Sequence, residues 1–177
     1  MLLKNLMSKL NLKVEIDEKA GFCFGVVKAI EKAEELLDKN NEIYCLGEIV
    51  HNDEEIKRLT NKGLKIINYD EFKTLKNKKI LFRAHSEPPE SYEIAKKNNV
   101  EIIDASCPII QRIKADIKKS FENNENIYIW GKPNHPEIIA INGEINNRAI
   151  VFENLNDITL NNINEITLYS QTTRSIE

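Results

Sequence analysis

The stretch that decides the fold of this chain reads KILFRAHSEPPESYEIAKKNNVEIID and runs from Lys79 to Asp104. It begins with a short apolar run, continues through a polar loop into a helical segment that opens with proline, and ends with a β-branched run. Strands that alternate with helices in this way are typical of parallel sheets. The stretch therefore predicts an α/β fold.

The same alternation extends over the rest of the chain. Strands are predicted at residues 13–16, 42–46, 64–67, 79–83, 100–104, 126–130, 149–152 and 165–170. Helices are predicted from Gly25 onward and at residues 53–61, 89–98, 108–123 and 136–144. We expect two parallel-sheet lobes, formed by residues 1–106 and 107–177, with residues 1–11 as an N-terminal extension of the first lobe.

The composition argues against several classes of protein. The 177 residues carry a net charge of -3, and lysines and glutamates are interleaved, so we expect no nucleic-acid partner. Lys4 and Lys9 interrupt the leucine-rich N-terminal stretch, which therefore resembles neither a secretory signal nor a membrane span. A cytoplasmic protein without membrane contact is expected.

Residues with useful chemistry follow predicted strands and precede or begin predicted helices. They are Cys23, His51, His85, Cys107 and His135. Ligands of open α/β sheets bind at the edge formed by the carboxyl ends of the strands. The shared placement therefore indicates a site at that edge.

The cysteines differ in their surroundings. Cys23 lies between Gly21 and Gly25 at a helix start, and Cys107 likewise precedes a helix, which Pro108 opens, so both favour a reactive or ligating thiolate. Far apart in sequence, the two cysteines suit an iron–sulfur cluster better than a local zinc site, although for Cys23 a small buried residue in a tight turn is the alternative. Cys45 lies inside a strand, where a buried structural role is expected.

Three imidazoles at one sheet edge could bind a polyanion such as diphosphate, whereas each alone fits a surface or capping role. Glu137 begins a helix, whose dipole favours the ionised carboxylate, and it would need burial to serve as a proton donor. The polar turn at residues 170–173 could cap a helix or contact a substrate.

In this order, the motifs resemble those of the 4-hydroxy-3-methylbut-2-enyl diphosphate reductases, the last enzymes of the methylerythritol phosphate route. The matching segments are Gly21-Phe22-Cys23, Glu48-Ile49-Val50-His51-Asn52, Ala84-His85, Asp104-Ala105-Ser106-Cys107-Pro108, Asn134-His135-Pro136-Glu137 and Gln171-Thr172-Thr173. The resemblance extends over nearly the whole chain.

The resemblance implies three α/β lobes around a cavity and a [4Fe–4S] cluster held by three cysteines, two of which would be Cys23 and Cys107. It implies that Glu137, as catalytic acid together with Thr172, supplies protons. The segments with His51, His85 and His135 would hold the diphosphate of the allylic substrate. The implied products are isopentenyl and dimethylallyl diphosphate, and the implied electron donor is a ferredoxin or flavodoxin.

The chain departs from the family pattern in two residues and in length. Ser86 and Ala140 stand where the family usually has glycine. The third lobe, with the third cluster cysteine and a Ser-x-Asn diphosphate contact, is not among these residues, so we expect an incomplete form of the enzyme. The alternative is an inactive or split-chain diphosphate-binding module that needs a separate third lobe. A zinc- or thiol-dependent hydrolase is disfavoured, because no close ligand pair exists.

Overall fold

The fold is seen in a computed structural model that describes residues 13–17, 20–39, 42–158 and 165–174. The predicted N-terminal extension at residues 1–11 lies outside the described residues. Within the described part of the chain, none of the helices combines the length and apolar character needed to cross a membrane.

Helices and short strands alternate along the chain, as the sequence predicts. The helices are α1 (Phe24–Lys39), α2 (Asp53–Asn61), α3 (Tyr69–Thr74), α4 (Pro89–Lys97), α5 (Pro108–Glu122) and α6 (Pro136–Gly143). The strands are β1 (Ile43–Leu46), β2 (Leu64–Ile67), β3 (Lys79–Phe82), β4 (Glu101–Asp104), β5 (Ile127–Trp130), β6 (Ile150–Phe152) and β7 (Thr167–Ser170).

The first four strands form one parallel sheet in the order β2-β1-β3-β4. Successive side chains of a strand point to opposite faces, and β3 uses both faces for burial. Ile80 and Phe82 pack on one side with Phe72 of α3, whereas Leu81 packs on the other side with Ala29 of α1. Helices therefore cover both faces, and the first sheet is the middle layer of an α/β/α arrangement.

The last three strands form a second parallel sheet in the order β6-β5-β7. Its core joins Ile127 and Ile129 of β5 to Ile117 of α5 and to Ile138 and Ile141 of α6. The α/β class with parallel sheets is therefore confirmed in both halves. The division between residues 106 and 107 stays a prediction.

The two sheets meet at the start of α5 and the end of α6. The Cys107 amide donates to the Ala84 carbonyl at 2.9 Å, which ties α5 to the loop after β3. At the end of α6, a side chain at Gly143 would press against Pro88, so only glycine permits this close approach. These contacts bring the strand ends of the two sheets together.

Two predictions about secondary structure were wrong. Residues 13–16 form no strand, because Val14 and Ile16 are 56% and 83% exposed and have no sheet against which to pack. Helix α3 was not predicted, although Asn68 and Glu71 form a capping box at its start. Its six residues are too short for a clear periodic pattern.

Candidate functional site

Two of the predicted site histidines lie at the carboxyl edge of the first sheet. His51 follows β1 and directly precedes Asn52, whose side chain caps α2 by accepting a hydrogen bond from the Glu55 amide at 3.0 Å. His85 follows β3. The ring centroids of His51 and His85 are 6.2 Å apart. The parallel arrangement of β1 and β3 thus brings together imidazoles that are distant in sequence.

The third histidine comes from the second sheet. His135 is the N-cap of α6, and its ring meets the His85 ring edge to face with centroids 5.4 Å apart. Its Nδ1 accepts a hydrogen bond from the Glu137 amide at 3.2 Å, so the proton of the neutral ring lies on Nε2. The three imidazoles therefore converge on one place where the two sheets meet.

Burial makes the two inner histidines hard to protonate. Desolvation lowers the pKa of His85 to about 4, and the nearby Arg83, His135 and His51 add to this effect. Desolvation also lowers the pKa of His135, although the Glu137 carboxylate opposes this shift. Among the described residues, the buried Nδ1 of His85 has no hydrogen-bond partner. An anion that reaches these rings would favour their protonation.

Glu137 is a buried carboxylate held from one side by a threonine. It lies in the first turn of α6 and is only 1% exposed. Its two oxygens accept hydrogen bonds from the amide and the hydroxyl of Thr172, at 2.6 and 2.8 Å. Thr172 itself is exposed. Its hydroxyl therefore lies between the buried carboxylate and the open surface of the site.

Backbone contacts fix the turn that carries Thr172. The Gln171 amide donates to the Trp130 carbonyl at 2.9 Å, and the Gln171 side-chain oxygen accepts from the Lys132 amide at 3.0 Å. Gly131 lies against Gln171 and Ile138, where a side chain would not fit. The turn after β7 is thus held to the end of β5.

Cys23 and Cys107 lie at the starts of two neighbouring helices. Cys107 is the N-cap of α5, and its Sγ lies 2.8 Å from the position that a Cβ on Gly25 would occupy. Gly25 is in the first turn of α1, directly after the exposed Cys23 and Phe24. The two predicted cluster cysteines are therefore brought to one region of the molecule by packing.

Cys45 does not belong to this region. It is completely buried inside β1, and desolvation raises the pKa of its thiol to about 12. A thiol with so high a pKa is a poor ligand, because metals bind the thiolate. Within the described residues, no group of three or more histidine, cysteine, aspartate or glutamate side chains could hold a metal ion.

The two residues that depart from the family pattern, Ser86 and Ala140, have different surroundings. Ser86 has a φ of +66°, a conformation that glycine adopts without strain, and its hydroxyl accepts a hydrogen bond from the buried Lys114 at 3.0 Å. Ala140 is fully buried in α6, where its backbone conformation does not require glycine.

Glu87 is 7% exposed and lies two residues after His85, the spacing that also relates Glu137 to His135. That repeated spacing was the available signal for Glu87.

The sequence of this chain is similar to those of known proteins. Residues 14–177 match the family model described as LytB protein. A 4-hydroxy-3-methylbut-2-enyl diphosphate reductase of Bacteroides thetaiotaomicron is 50% identical over 171 residues, which cover 94% of this chain and 59% of that protein. The corresponding reductase of Bacteroides fragilis is 51% identical over the same shares. The chain thus spans about 59% of the length of these curated relatives.

Solved structures agree with the sequence relatives. The E-1-hydroxy-2-methyl-but-2-enyl-4-diphosphate reductase from Plasmodium falciparum superposes with a TM-score of 0.81 at 33% identity and covers 90% of this chain. This chain covers 51% of that structure. An (E)-4-hydroxy-3-methyl-but-2-enyl diphosphate reductase, described as the terminal enzyme of the non-mevalonate pathway, gives a TM-score of 0.79 at 32% identity, covering 92% of this chain and 59% of its own.

Proposed function

Since the chain belongs to the LytB protein family, we propose that the intact protein performs the reductive dehydroxylation of 4-hydroxy-3-methylbut-2-enyl diphosphate. The products would be isopentenyl and dimethylallyl diphosphate. The reaction takes up two electrons and two protons, breaks the carbon–oxygen bond and releases the hydroxyl as water. The observation that carries the proposal is the buried Glu137–Thr172 pair beside three convergent imidazoles.

The imidazoles would bind the diphosphate. His85 lies within ring contact of both His51 and His135, so one ligand can meet all three rings. The low pKa of His85 keeps its ring neutral near pH 7 in the free site, and a bound diphosphate anion would favour its protonation. The N-terminus of α6, which begins beside His135, adds a favourable dipole for an anion.

Glu137 would supply the protons, and Thr172 would pass them on. A carboxyl that is 1% exposed cannot reach a substrate at the surface directly, whereas the hydroxyl of Thr172, an exposed residue, can meet the substrate and Glu137 at once. A hydroxyl both accepts and donates, so it can transfer a proton without a change in its own charge. This arrangement also keeps bulk water away from the acid.

Cys23 and Cys107 would hold a [4Fe–4S] cluster together with a third thiolate from outside this pair. The contact between Cys107 and the first turn of α1 fits two ligands of one cluster, and Cys45 is excluded by its burial within β1. The cluster would supply the electrons and a Lewis-acidic iron. We propose a cytoplasmic ferredoxin or flavodoxin as its electron donor.

The test uses the intact protein, reconstituted with iron and sulfide under anaerobic conditions. We expect the wild type to reduce the allylic diphosphate, and Cys23→Ser and Cys107→Ser to lose both cluster and activity. Cys45→Ser is the control, because Cys45 is buried inside β1 and is not one of the proposed cluster ligands. Retention of four irons by Cys107→Ser would contradict the ligand assignment. Diphosphate binding without turnover by the wild type would favour the inactive module instead.

A further inference from the structure

Lys114 is a buried lysine that contacts several elements of the site without belonging to it. It lies in the middle of α5 and is 7% exposed. Burial of an ammonium group is costly unless its donors are satisfied and its charge is balanced. Its contacts therefore need an explanation beyond simple packing.

All three donors of the Lys114 ammonium have acceptors. It donates to the Ser86 hydroxyl at 3.0 Å and to the Glu87 carbonyl at 2.8 Å, and it pairs with the Glu144 carboxylate at 2.8 Å. The Tyr92 ring lies beneath the amine, 5.5 Å from its centroid. An ammonium has three N–H groups, so this set of acceptors uses its full capacity.

The acceptors belong to elements that carry site residues. Ser86 and Glu87 directly follow His85 in the loop after β3. Glu144 is the C-cap of α6, whose N-cap is His135. The helix of Lys114 itself begins at Cys107. One ammonium therefore joins the loop of His85, the helix of His135 and the helix of Cys107.

We propose that Lys114 is a positioning residue that sets the distance between the imidazoles of the two sheets. The His85 loop is held to the rest of its own sheet by strand β3, and His135 is held by α6, but the two rings come from different sheets. The ammonium of Lys114 binds both the His85 loop and the end of α6, and these bonds fix the distance between the two elements. These contacts are directional hydrogen bonds and an ion pair, so they specify one arrangement of the loop and α6 more strictly than apolar packing alone would. The inference rests on the proposed function only in naming diphosphate as the ligand.

The first measurement needs no ligand. The His85 and His135 rings, with centroids 5.4 Å apart, should give a nuclear Overhauser contact in the intact protein. In Lys114→Met this contact should disappear, whereas the Phe72–Phe82 contact inside the first sheet, at 5.8 Å, should remain. Persistence of the histidine contact in Lys114→Met would overturn the proposal.

The second measurement is the affinity for inorganic pyrophosphate. We expect Lys114→Met to weaken binding by roughly tenfold or more, since small losses of alignment reduce the energy of several polar contacts at once. Arg58→Met is the matched control, because it removes an ion-paired side chain whose partners, Glu34 and Glu55, lie in α1 and α2 and not in the His85 loop or α6. The control should bind pyrophosphate like the wild type.

Two further variants separate the possible failures. Lys114→Arg keeps the charge but cannot offer three donors at one point, so it should not restore the wild-type values. Full restoration by arginine would overturn the geometric claim. If Lys114→Met does not fold, Glu144→Gln decides, with a smaller loss of the ring contact expected and no loss overturning the proposal. A wild type that binds no pyrophosphate would contradict the proposed diphosphate site, and the ring contact would still test the role of Lys114.

Discussion

The two sheets carry the same short motif and use it differently. In the first half, His85 is followed two residues later by Glu87, and in the second half His135 is followed two residues later by Glu137. Both glutamates are buried, at 7% and 1% exposure. Glu137 has both oxygens bound by Thr172, whereas Oε1 of Glu87 has no hydrogen-bond partner among the described residues.

The middle residue of each motif explains the difference. Pro136 is the first residue of α6, so His135 caps the helix and Glu137 lies in its first turn. Ser86 instead has a φ of +66°, which turns the chain, and α4 begins only at Pro89. The same spacing thus gives a helical carboxylate at one site and a loop carboxylate at the other. The comparison teaches that the backbone conformation between the two residues, and not their spacing, determines the environment of the carboxylate.

The largest expected effect separates the two glutamates in catalysis. If Glu137 is the proposed general acid, Glu137→Gln should lower the proposed turnover of the intact protein by about 10²–10⁴-fold. Glu87→Gln is the matched control and should keep most of the activity. Steady-state kinetics with the allylic diphosphate would measure both. Equal losses in the two variants would remove the distinction between the motifs.

A smaller effect is expected from the partner of Glu137. Thr172→Val removes one hydroxyl bond to the carboxylate and leaves the backbone bond, so turnover should fall by roughly tenfold to a hundredfold. The fall should appear in kcat more than in KM. Thr167→Val serves as control, because its hydroxyl binds the exposed Glu125. A Thr172→Val enzyme with wild-type kcat would exclude the hydroxyl from proton transfer.

The conformation of Ser86 can be tested through stability. Ser86→Ala and Ser86→Gly both lose the hydroxyl that Lys114 binds, but only glycine adopts a positive φ without strain. The glycine variant should therefore be more stable than the alanine variant by about 1 kcal/mol in the free energy of unfolding. Urea denaturation would measure the difference. Equal stability would show that the turn at Ser86 relaxes.

The last expected effect is a change in the pH dependence of stability. Burial raises the pKa of Glu87 to about 7, so its contribution to stability is present below its ordinary pKa of 4.5 and is lost as the pH rises toward 7. The lowered pKa of His85, about 4, acts in the opposite direction, because stability is lost as the pH falls from 6.5. The two effects partly cancel in the wild type.

Glu87→Gln should remove the opposing contribution of Glu87 and leave that of His85. The free energy of unfolding of this variant should therefore rise more steeply between about pH 5 and 7 than that of the wild type. Urea denaturation at several pH values would measure the slopes. Glu90→Gln, an exposed change on the adjacent helix, should leave the wild-type slope intact. A Glu87→Gln variant with an unchanged slope would contradict the raised pKa of Glu87.

Much of the fold followed from local pattern. Seven predicted strands and five predicted helices are present, and the ends that were predicted lie within two residues of those observed, because apolar runs and helix-opening prolines act over a few residues. The strand predicted at residues 13–16 failed, since an apolar run becomes a strand only where a sheet accepts it. Helix α3 was missed because it is short.

The sequence by itself determined the chemistry available to this protein. It placed three histidines and Cys107 after strands and Cys23 at a helix start, although the strand expected before Cys23 does not form, and it separated Cys45 from them by its position inside a strand. Only the tertiary structure decided which groups meet. The ring contacts, the burial of Glu137 behind Thr172 and the three acceptors of Lys114 all join residues distant in sequence. Such contacts depend on how two sheets pack, and packing is set by the whole chain together, so no local pattern contains it.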